Sequence, residues 1–174
     1  MKFSKEEKKF WQRNYRIERV EEIPADWTFF KSVDGDEDDD FFHFFTLRVT
    51  TITEVHLKDT LITDRAVEYI VKFEQLKTLY LRKHDDITKE CIQCFNQMKS
   101  LESLNITRTK ITLSDLCVHL NNQSLREVFI DSEENEEDIL EKAFVLKERM
   151  PNCNVYIDTC FSTNFFGKPE KPIF

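Results

Sequence analysis

The sequence predicts an α/β chain built from strand–helix units that repeat at a fixed interval. Four related stretches begin at Ile52, Leu76, Leu101 and Leu125, with starts 24, 25 and 24 residues apart. Each stretch has aliphatic residues at its first, fourth and sixth places, as in Ile52, Val55 and Leu57. This constant spacing predicts a solenoid, in which each coil buries its apolar face against its neighbour.

These stretches resemble the coils of the leucine-rich-repeat family, which read L-x-x-L-x-L-x-x-N/C-x-L. The segment ITDRAVEYI after Lys58-Asp59-Thr60 is similar to short bacterial repeats of the form T-x-I-T-D-x-G-L-x-x-L. The resemblance covers residues 52–158 and implies a right-handed solenoid of four to five coils, with a parallel sheet on the concave face. Thr60 and Thr109 occupy the family's Asn/Cys place, and we expect their hydroxyls to bond backbone groups. The second and fourth coils depart from the pattern and are expected to have irregular loops.

Residues 1–50 do not fit the repeat, and we expect them to cap the apolar end of the first coil. The capping-box pattern Ser4-Lys5-Glu6-Glu7 predicts a helix from about Lys5 to Tyr15. After the break at Pro24, residues 27–33 are expected to form a short strand. Eight of the 16 phenylalanines precede Thr46, which is too many to leave in water.

An acidic segment of six carboxylates surrounds Gly35 between Val33 and Phe41. A calcium loop of the EF-hand type requires Gly at the sixth place and Glu at the twelfth. Counted from Asp34, these places hold Asp39 and Phe45, so the template fails. We interpret the segment as a solvated loop whose neutralisation changes stability little.

Helices are expected to follow the strands of the repeat. Ala66, Val67, Ile70 and Phe73 form a helical stripe that residues 91–98 repeat 25 residues later. In the fourth coil we expect a longer helix over 136–149, followed by a last strand over 153–158. Residues 159–174 contain Phe161, Phe165, Phe166 and Phe174, and we expect this tail to pack over the final coil. The whole chain is expected to form one domain. Its parts are an N-terminal cap (1–50), the leucine-rich repeats (51–158) and a C-terminal covering tail (159–174).

Composition limits the classes of function. A net charge of −8 argues against nucleic acid and against an anionic membrane surface, and it is compatible with a basic protein partner. No signal peptide or spanning segment is evident, so a cytoplasmic protein is expected. Two glycines leave little room for phosphate-binding loops, and no nucleophile elbow occurs. We therefore predict a chain that is not an enzyme and has no cofactor.

Cys91 and Cys94 form a C-x-x-C pattern that would suit a redox pair or half a zinc site. Cys91, however, stands where the preceding coil has Ala66, and Cys94 stands where it has Tyr69. Cysteine at such a place behaves as a small apolar residue. We expect Cys91 to be a buried, unreactive core residue and predict no metal site.

The residues between the inward-facing aliphatics indicate a binding face, because successive strand side chains point to opposite sides. One column of outward residues in the predicted sheet contains His56, Tyr80, Asn105 and Phe129. Large side chains at the centre of a face are typical of protein-binding hot spots. The alternative is that the C-terminal tail covers Phe129. Basic residues are expected on one side of this face and acidic residues in the last coil. The predicted partner-binding residues are Glu54, His56, Lys58, Tyr80, Arg82, Asn105, Arg108, Glu127, Phe129 and Asp131.

Two functions follow from these observations. The first is a non-catalytic module, monomeric when free, that binds one protein on the concave face. A more specific version of this hypothesis is an immunity or inhibitor protein that neutralises a toxin. The second is a structural subunit or adaptor of a larger assembly, which would use the Phe-rich N-terminal section or the tail as a permanent interface. The mass of the isolated protein in solution distinguishes these two hypotheses.

Overall fold

The computed structural model describes residues 2–173 and is organised around one parallel β-sheet. Within these residues the sheet has six strands, which lie side by side in chain order. The strands are β1 (Phe29–Val33), β2 (Glu54–Lys58), β3 (Thr78–Arg82), β4 (Ser103–Asn105), β5 (Glu127–Ile130) and β6 (Asn154–Ile157). All five pairings between neighbouring strands are parallel. The predicted α/β class is confirmed.

Helices precede the first strand and connect the later ones. They are α1 (Lys5–Tyr15), α2 (Asp39–Phe45), α3 (Asp64–Ile70), α4 (Ile92–Gln97), α5 (Leu113–His119) and α6 (Glu136–Arg149). Short 3-10 turns lie at Val20–Glu22 and Lys89–Cys91. The bounds of α1 and α6 confirm the two predicted helices. In the part of the chain described, no helix is both long and apolar enough to cross a bilayer.

Side chains that alternate along the strands form the core. Val55, Leu57, Leu79 and Leu81 are fully buried, because β2 and β3 turn these residues toward the helices and away from solvent. The helical stripe that includes Ala66 and the matching residues of α4 join the same cluster. The inward positions predicted from the spacing are therefore confirmed.

Five of the strands are followed, within three residues, by a residue with a left-handed backbone. These residues are Asp34, Asp59, Lys83, Arg108 and Asp158, and their φ angles lie between 54° and 63°. The first four recur 25, 24 and 25 residues apart. Aspartate tolerates this conformation better than most residues with a side chain, whereas lysine and arginine adopt it at a higher cost. The backbone N–H groups of these corners bond the neighbouring unit, as Asp34 does to the Lys58 carbonyl at 2.9 Å.

The threonines in the loops after β2 and β4 make different hydrogen bonds. Thr109 Oγ1 donates to the Ile106 carbonyl at 2.8 Å, so its hydroxyl bonds a backbone group as the sequence predicts. Thr60 instead contacts the ring of His84, whose Nε2 accepts from the Thr60 N–H at 3.2 Å and lies 2.9 Å from Thr60 Oγ1. His84 is buried, and this burial lowers the pKa of its ring.

The N-terminal section extends the sheet, which corrects the expectation that residues 1–50 lie outside the repeat. Strand β1 pairs with β2 over its whole length, with Phe30 opposite Val55 and Ser32 opposite Leu57. Helix α2 follows β1 as α3 follows β2. Ser32 occupies the place where the other units have an aliphatic residue, so the pattern that defines the repeat is broken at this position.

Helix α1 packs against this first unit through aromatic rings. Ser4 begins the helix, with its Oγ accepting from the Glu7 N–H at 3.1 Å while Glu7 Oε2 accepts from the Ser4 N–H at 2.8 Å. Trp11 and Phe45 are fully buried, and their ring centroids lie 5.8 Å apart. An ion pair between Glu7 and Arg48, with an N–O distance of 2.6 Å, joins α1 to the segment after α2.

The acidic segment is structured, which corrects its interpretation as a merely solvated loop. Asp38 begins α2 by accepting from the Phe41 N–H at 2.9 Å. The carboxylate of Asp39 accepts from the Thr63 N–H at 2.9 Å and from Thr63 Oγ1 at 2.8 Å. Asp64 bonds Thr88 in the same way one unit later, at 2.7 and 2.5 Å. The carboxylate at the start of one helix thus holds, by hydrogen bonds, the threonine that caps the start of the next helical segment.

We expect Asp39→Ala to lower the free energy of unfolding by about 1 to 3 kcal/mol, since it leaves the Thr63 N–H and hydroxyl without their charged acceptor. Asp36→Ala is the matched control, because Asp36 lies exposed on the same segment. The control should change stability by less than about 0.5 kcal/mol. Urea denaturation measures both values, and equal effects of the two substitutions would contradict a structural role for Asp39.

Candidate protein-binding face

The strand residues that alternate with the core positions form the outer face of the sheet. Its central column follows directly from the strand register, in which each residue is paired with the next: Lys31, His56, Tyr80, Asn105, Phe129 and Tyr156. The structure therefore brings together the four column residues predicted from sequence and adds one residue at each end. The two halves of the column differ in exposure.

The half of the column on β4 to β6 is closed. Phe129 is only 4% exposed and stacks on Tyr156 with ring centroids 4.7 Å apart. Asn105 is buried as well; its Nδ2 donates to the Cys160 carbonyl at 2.9 Å, and its Oδ1 accepts from Thr107 Oγ1 at 2.8 Å. The expectation that Phe129 and Asn105 stand open to a partner is wrong, because neighbouring rings and the tail cover them.

The open half of the column, on β1 to β3, contributes His56 and Tyr80 to a line of four aromatic side chains. We call this line the aromatic row; Phe29 of β1 and Phe161 of the tail form its two ends. The ring centroids of successive members lie 5.3, 5.6 and 6.0 Å apart. The His56 and Tyr80 rings are nearly parallel, with an angle of 16° between them. Phe29 is 46% exposed and Phe161 is 57% exposed, so both ends of the row meet solvent.

His56 is held neutral within the row. Burial lowers the pKa of its ring; Glu54 opposes this shift, and Lys31 adds to it. The distance from His56 Nε2 to Glu54 Oε2 is 3.6 Å, which is too long for a hydrogen bond. A neutral imidazole stacks between Phe29 and Tyr80 without burying a charge, so the row offers apolar and stacking contacts rather than proton transfer.

The predicted charged residues border this face in different ways. Glu54 and Arg108 are exposed, whereas Lys58, Arg82, Glu127 and Asp131 are half-buried. The backbone N–H of Arg108 donates to the Asp131 carboxylate, which couples these two predicted residues across neighbouring units. Lys83, which follows Arg82 in the chain, pairs with Asp59. The predicted separation of basic and acidic halves is therefore weakened by local pairing.

Sequence reasoning missed Phe29 and Phe161, which form the two ends of the row. Phe29 lies 25 residues before Glu54, so the repeat interval could have found it despite Ser32 in an aliphatic place. Phe161 had no such signal, because no periodicity extends into the tail. Only the path of the tail across the sheet, with Cys160 on Asn105 and Phe161 on Tyr80, brings it to the row.

The tail follows a path that differs from the expected one. It contacts the last strand, where the Ile173 N–H donates to the Val155 carbonyl at 2.8 Å. It also reaches β4 and β3 through Cys160 and Phe161, beyond the final unit that it was expected to cover. Phe165 is exposed rather than packed. Phe174, also assigned to the packed tail, lies outside the described residues.

The C-x-x-C pair lies away from this face, on the turn and helix after β3. Cys91 is buried, as expected, and its Sγ lies 3.1 Å from the Thr88 carbonyl. Burial raises the pKa of the Cys91 thiol, which leaves little of the reactive thiolate at neutral pH. Residues 2–173 contain no group of three or more His, Cys, Asp or Glu side chains arranged to hold a metal ion.

We expect a water-soluble thiol reagent to modify Cys91 only when the protein unfolds. Cys94 is half-buried and lies three residues after Cys91, so it is the internal reference for reagent access. Mass spectrometry of peptides after timed labelling, with and without urea, measures the two rates. Labelling of native Cys91 as fast as Cys94 would contradict its assignment to the core.

No protein-family model matches the sequence, and no curated protein matches it either. The aromatic row is the feature of residues 2–173 whose chemistry is best suited to recognition. Flat side chains at the centre of a face provide a large contact area at a low cost in conformational entropy.

Proposed function

We propose that this chain is a non-catalytic protein-binding module that uses the aromatic row as its contact surface. The observation that carries the proposal is the line of four contacting rings on the outer face of the sheet. The rings are stacked from His56 to Phe161 and meet edge to face between Phe29 and His56, and both ends of the line are open to solvent. Partly exposed rings held in a fixed arrangement cost free energy in water and gain it when a partner covers them. The acidic net charge of −8 favours a basic partner.

We further propose that the fold is a leucine-rich-repeat solenoid. In-order parallel pairing, corners that recur every 24 or 25 residues, and the Asp39–Thr63 and Asp64–Thr88 contacts support this assignment. Each feature joins one unit to its neighbour alone, as stacking of repeats requires. A more specific version of the proposal is an immunity or inhibitor protein that neutralises a basic toxin. This version is based on the length and the negative charge of this sequence.

A second candidate function is a subunit of a larger assembly. Exposed apolar side chains on α5 and α6, namely Val118, Leu140 and Val145, favour it, because a permanent interface would cover them. Sedimentation of the purified chain separates the two candidates. A stable, well-behaved monomer supports the binding module, whereas aggregation relieved by polar substitutions of these three residues supports the assembly subunit.

Truncation of the row tests the first proposal. A partner is first captured with a photoreactive p-benzoylphenylalanine at position 29, identified, and purified. We expect Tyr80→Ala to weaken its affinity by about 2 kcal/mol or more, since the central ring loses both its own contact and its support of His56 and Phe161. Calorimetric titration measures the loss.

The control for this experiment is Tyr69→Ala, which removes a half-buried ring on α3 away from the row. The Tyr69 variant should bind the partner with nearly unchanged affinity. Circular dichroism must show that Tyr80→Ala remains folded. Phe129→Ala is unsuitable for this test because its buried ring belongs to the packing of the sheet. A folded Tyr80 variant with full affinity would rule out the row as the contact surface.

A further inference from the structure

We propose that a turn near the C-terminus is a second docking element, whose two phenylalanines enter an apolar pocket of a partner protein. The turn comprises residues 164–167, and we call it the Phe-Phe turn. Phe165 is 97% exposed and Phe166 is 81% exposed, which makes them the most exposed large apolar side chains among residues 2–173. No residue of this turn belongs to the aromatic row, so the inference extends beyond the proposed function.

The turn is held in one conformation by its own hydrogen bonds. The Asn164 N–H donates to the Lys168 carbonyl at 2.7 Å, and the Gly167 N–H donates to the Asn164 carbonyl at 2.9 Å. Asn164 Oδ1 accepts from the N–H groups of both Phe166 and Lys168 at 3.0 Å. Gly167 has φ of 72°, a conformation that a residue with a side chain rarely adopts. The two rings are thus displayed by an ordered backbone.

The base of the turn is anchored to the rest of the protein. Thr163 and Pro169 form an antiparallel bridge, and the Glu170 N–H donates to the Ser162 carbonyl at 2.8 Å. On one side the chain is fixed to β6 by Ile173, and on the other it is fixed to Tyr80 by Phe161. An element that is rigid before binding loses little conformational entropy when it binds.

The rings and nearby charges indicate the kind of partner. Phe165 and Phe166 meet edge to face, with centroids 5.5 Å apart and planes at 85°, and so form a compact wedge. Lys168 and Lys171 are exposed beside this wedge. The complementary site is an apolar pocket with an acidic rim on another protein. An anionic bilayer is disfavoured, since it presents negative charge over an extended surface that the net charge of −8 repels, whereas an acidic rim faces only the two lysines.

The test places p-benzoylphenylalanine at position 165 of the full chain. Proteins captured on irradiation in the source cells are identified, and the major one is purified as the probe. The double variant Phe165→Ser/Phe166→Ser should weaken affinity for that probe at least about tenfold. Leu61→Ser is the matched control, because Leu61 is another exposed apolar residue and lies in the loop after β2, outside every proposed contact surface. It should change affinity less than about twofold.

Several outcomes would overturn the proposal. These are unchanged affinity of the double variant, or capture of no protein at position 165. Binding of the native chain to vesicles of phosphatidylcholine and phosphatidylserine, lost in the double variant, would assign the turn to a membrane. Concentration-dependent self-association, lost in the double variant, would assign it to a second copy. Loss of affinity in Tyr80→Ala but not in the double variant would overturn this inference alone, whereas the reverse result would overturn only the aromatic row.

Discussion

Phe45→Ala is expected to lower the free energy of unfolding by about 3 to 5 kcal/mol, the range for removing a fully buried phenylalanine. Its ring lies at the centre of the N-terminal aromatic cluster, 5.1 Å from Trp27 and 5.3 Å from Phe30. It also contacts Phe73, at 6.2 Å, in the following unit. Truncation therefore leaves a cavity where α1, the first strand–helix unit and the second unit meet.

Leu47→Ala is the control for Phe45→Ala, because Leu47 is two residues away and exposed. Its effect should stay below about 0.5 kcal/mol. Urea denaturation followed by tryptophan fluorescence measures both variants, since Trp11 and Trp27 belong to the cluster. A loss below about 1 kcal/mol for Phe45→Ala would show that residues 1–50 are a loosely attached cap rather than part of the core.

Arg48→Met is expected to destabilise the protein by about 3 kcal/mol at neutral pH. The Arg48 and Glu7 side chains are 11% and 8% exposed, and removing the cation leaves a buried carboxylate without its partner. Methionine retains an apolar stem of similar length, so the loss reports the charge more than the packing. The double variant Glu7→Leu/Arg48→Met should recover most of the stability, because it removes both charges.

The destabilisation caused by Arg48→Met should shrink as the pH falls. Burial by itself raises the pKa of Glu7, but the Ser4 N–H and the Arg48 guanidinium lower it below its ordinary value of 4.5. The pair therefore contributes fully above the unfolded pKa, and the contribution is lost as the pH falls through the folded pKa. Urea denaturation of wild type and variant between neutral and acidic pH measures the difference. If the difference in unfolding free energy between wild type and variant stays constant with pH, the ion pair is not the cause of that difference.

Local patterns in the sequence predicted elements whose stabilising contacts are themselves local. The capping box at Ser4 predicted the start of α1, and α6 ends at Arg149 as predicted, two residues before Pro151. Spacing of aliphatic residues placed Leu79 and Val128 in the core. These predictions succeeded because helix caps, proline and side-chain alternation act over a few residues.

The same patterns failed where one residue departed from them. Ser32 interrupted the aliphatic series, so the strand expected over residues 27–33 was not assigned to the repeat and α2 was not predicted, although Phe30 lies opposite Val55 in the sheet. Asp39 looked like one of six equivalent acids, yet its carboxylate accepts from Thr63, 24 residues away. Composition cannot show which acid of a cluster faces a threonine, since that depends on how two units stack.

By itself, the sequence determined the α/β class, the inward positions of the strands and the column of His56, Tyr80, Asn105 and Phe129. Only the tertiary structure decided which part of that column is open. The tail covers Asn105 through the Cys160 carbonyl, Tyr156 stacks on Phe129, and Phe29 and Phe161 extend the exposed half. The reason is physical: alternation along a strand fixes the face to which a side chain points, whereas its exposure depends on distant segments that cross that face.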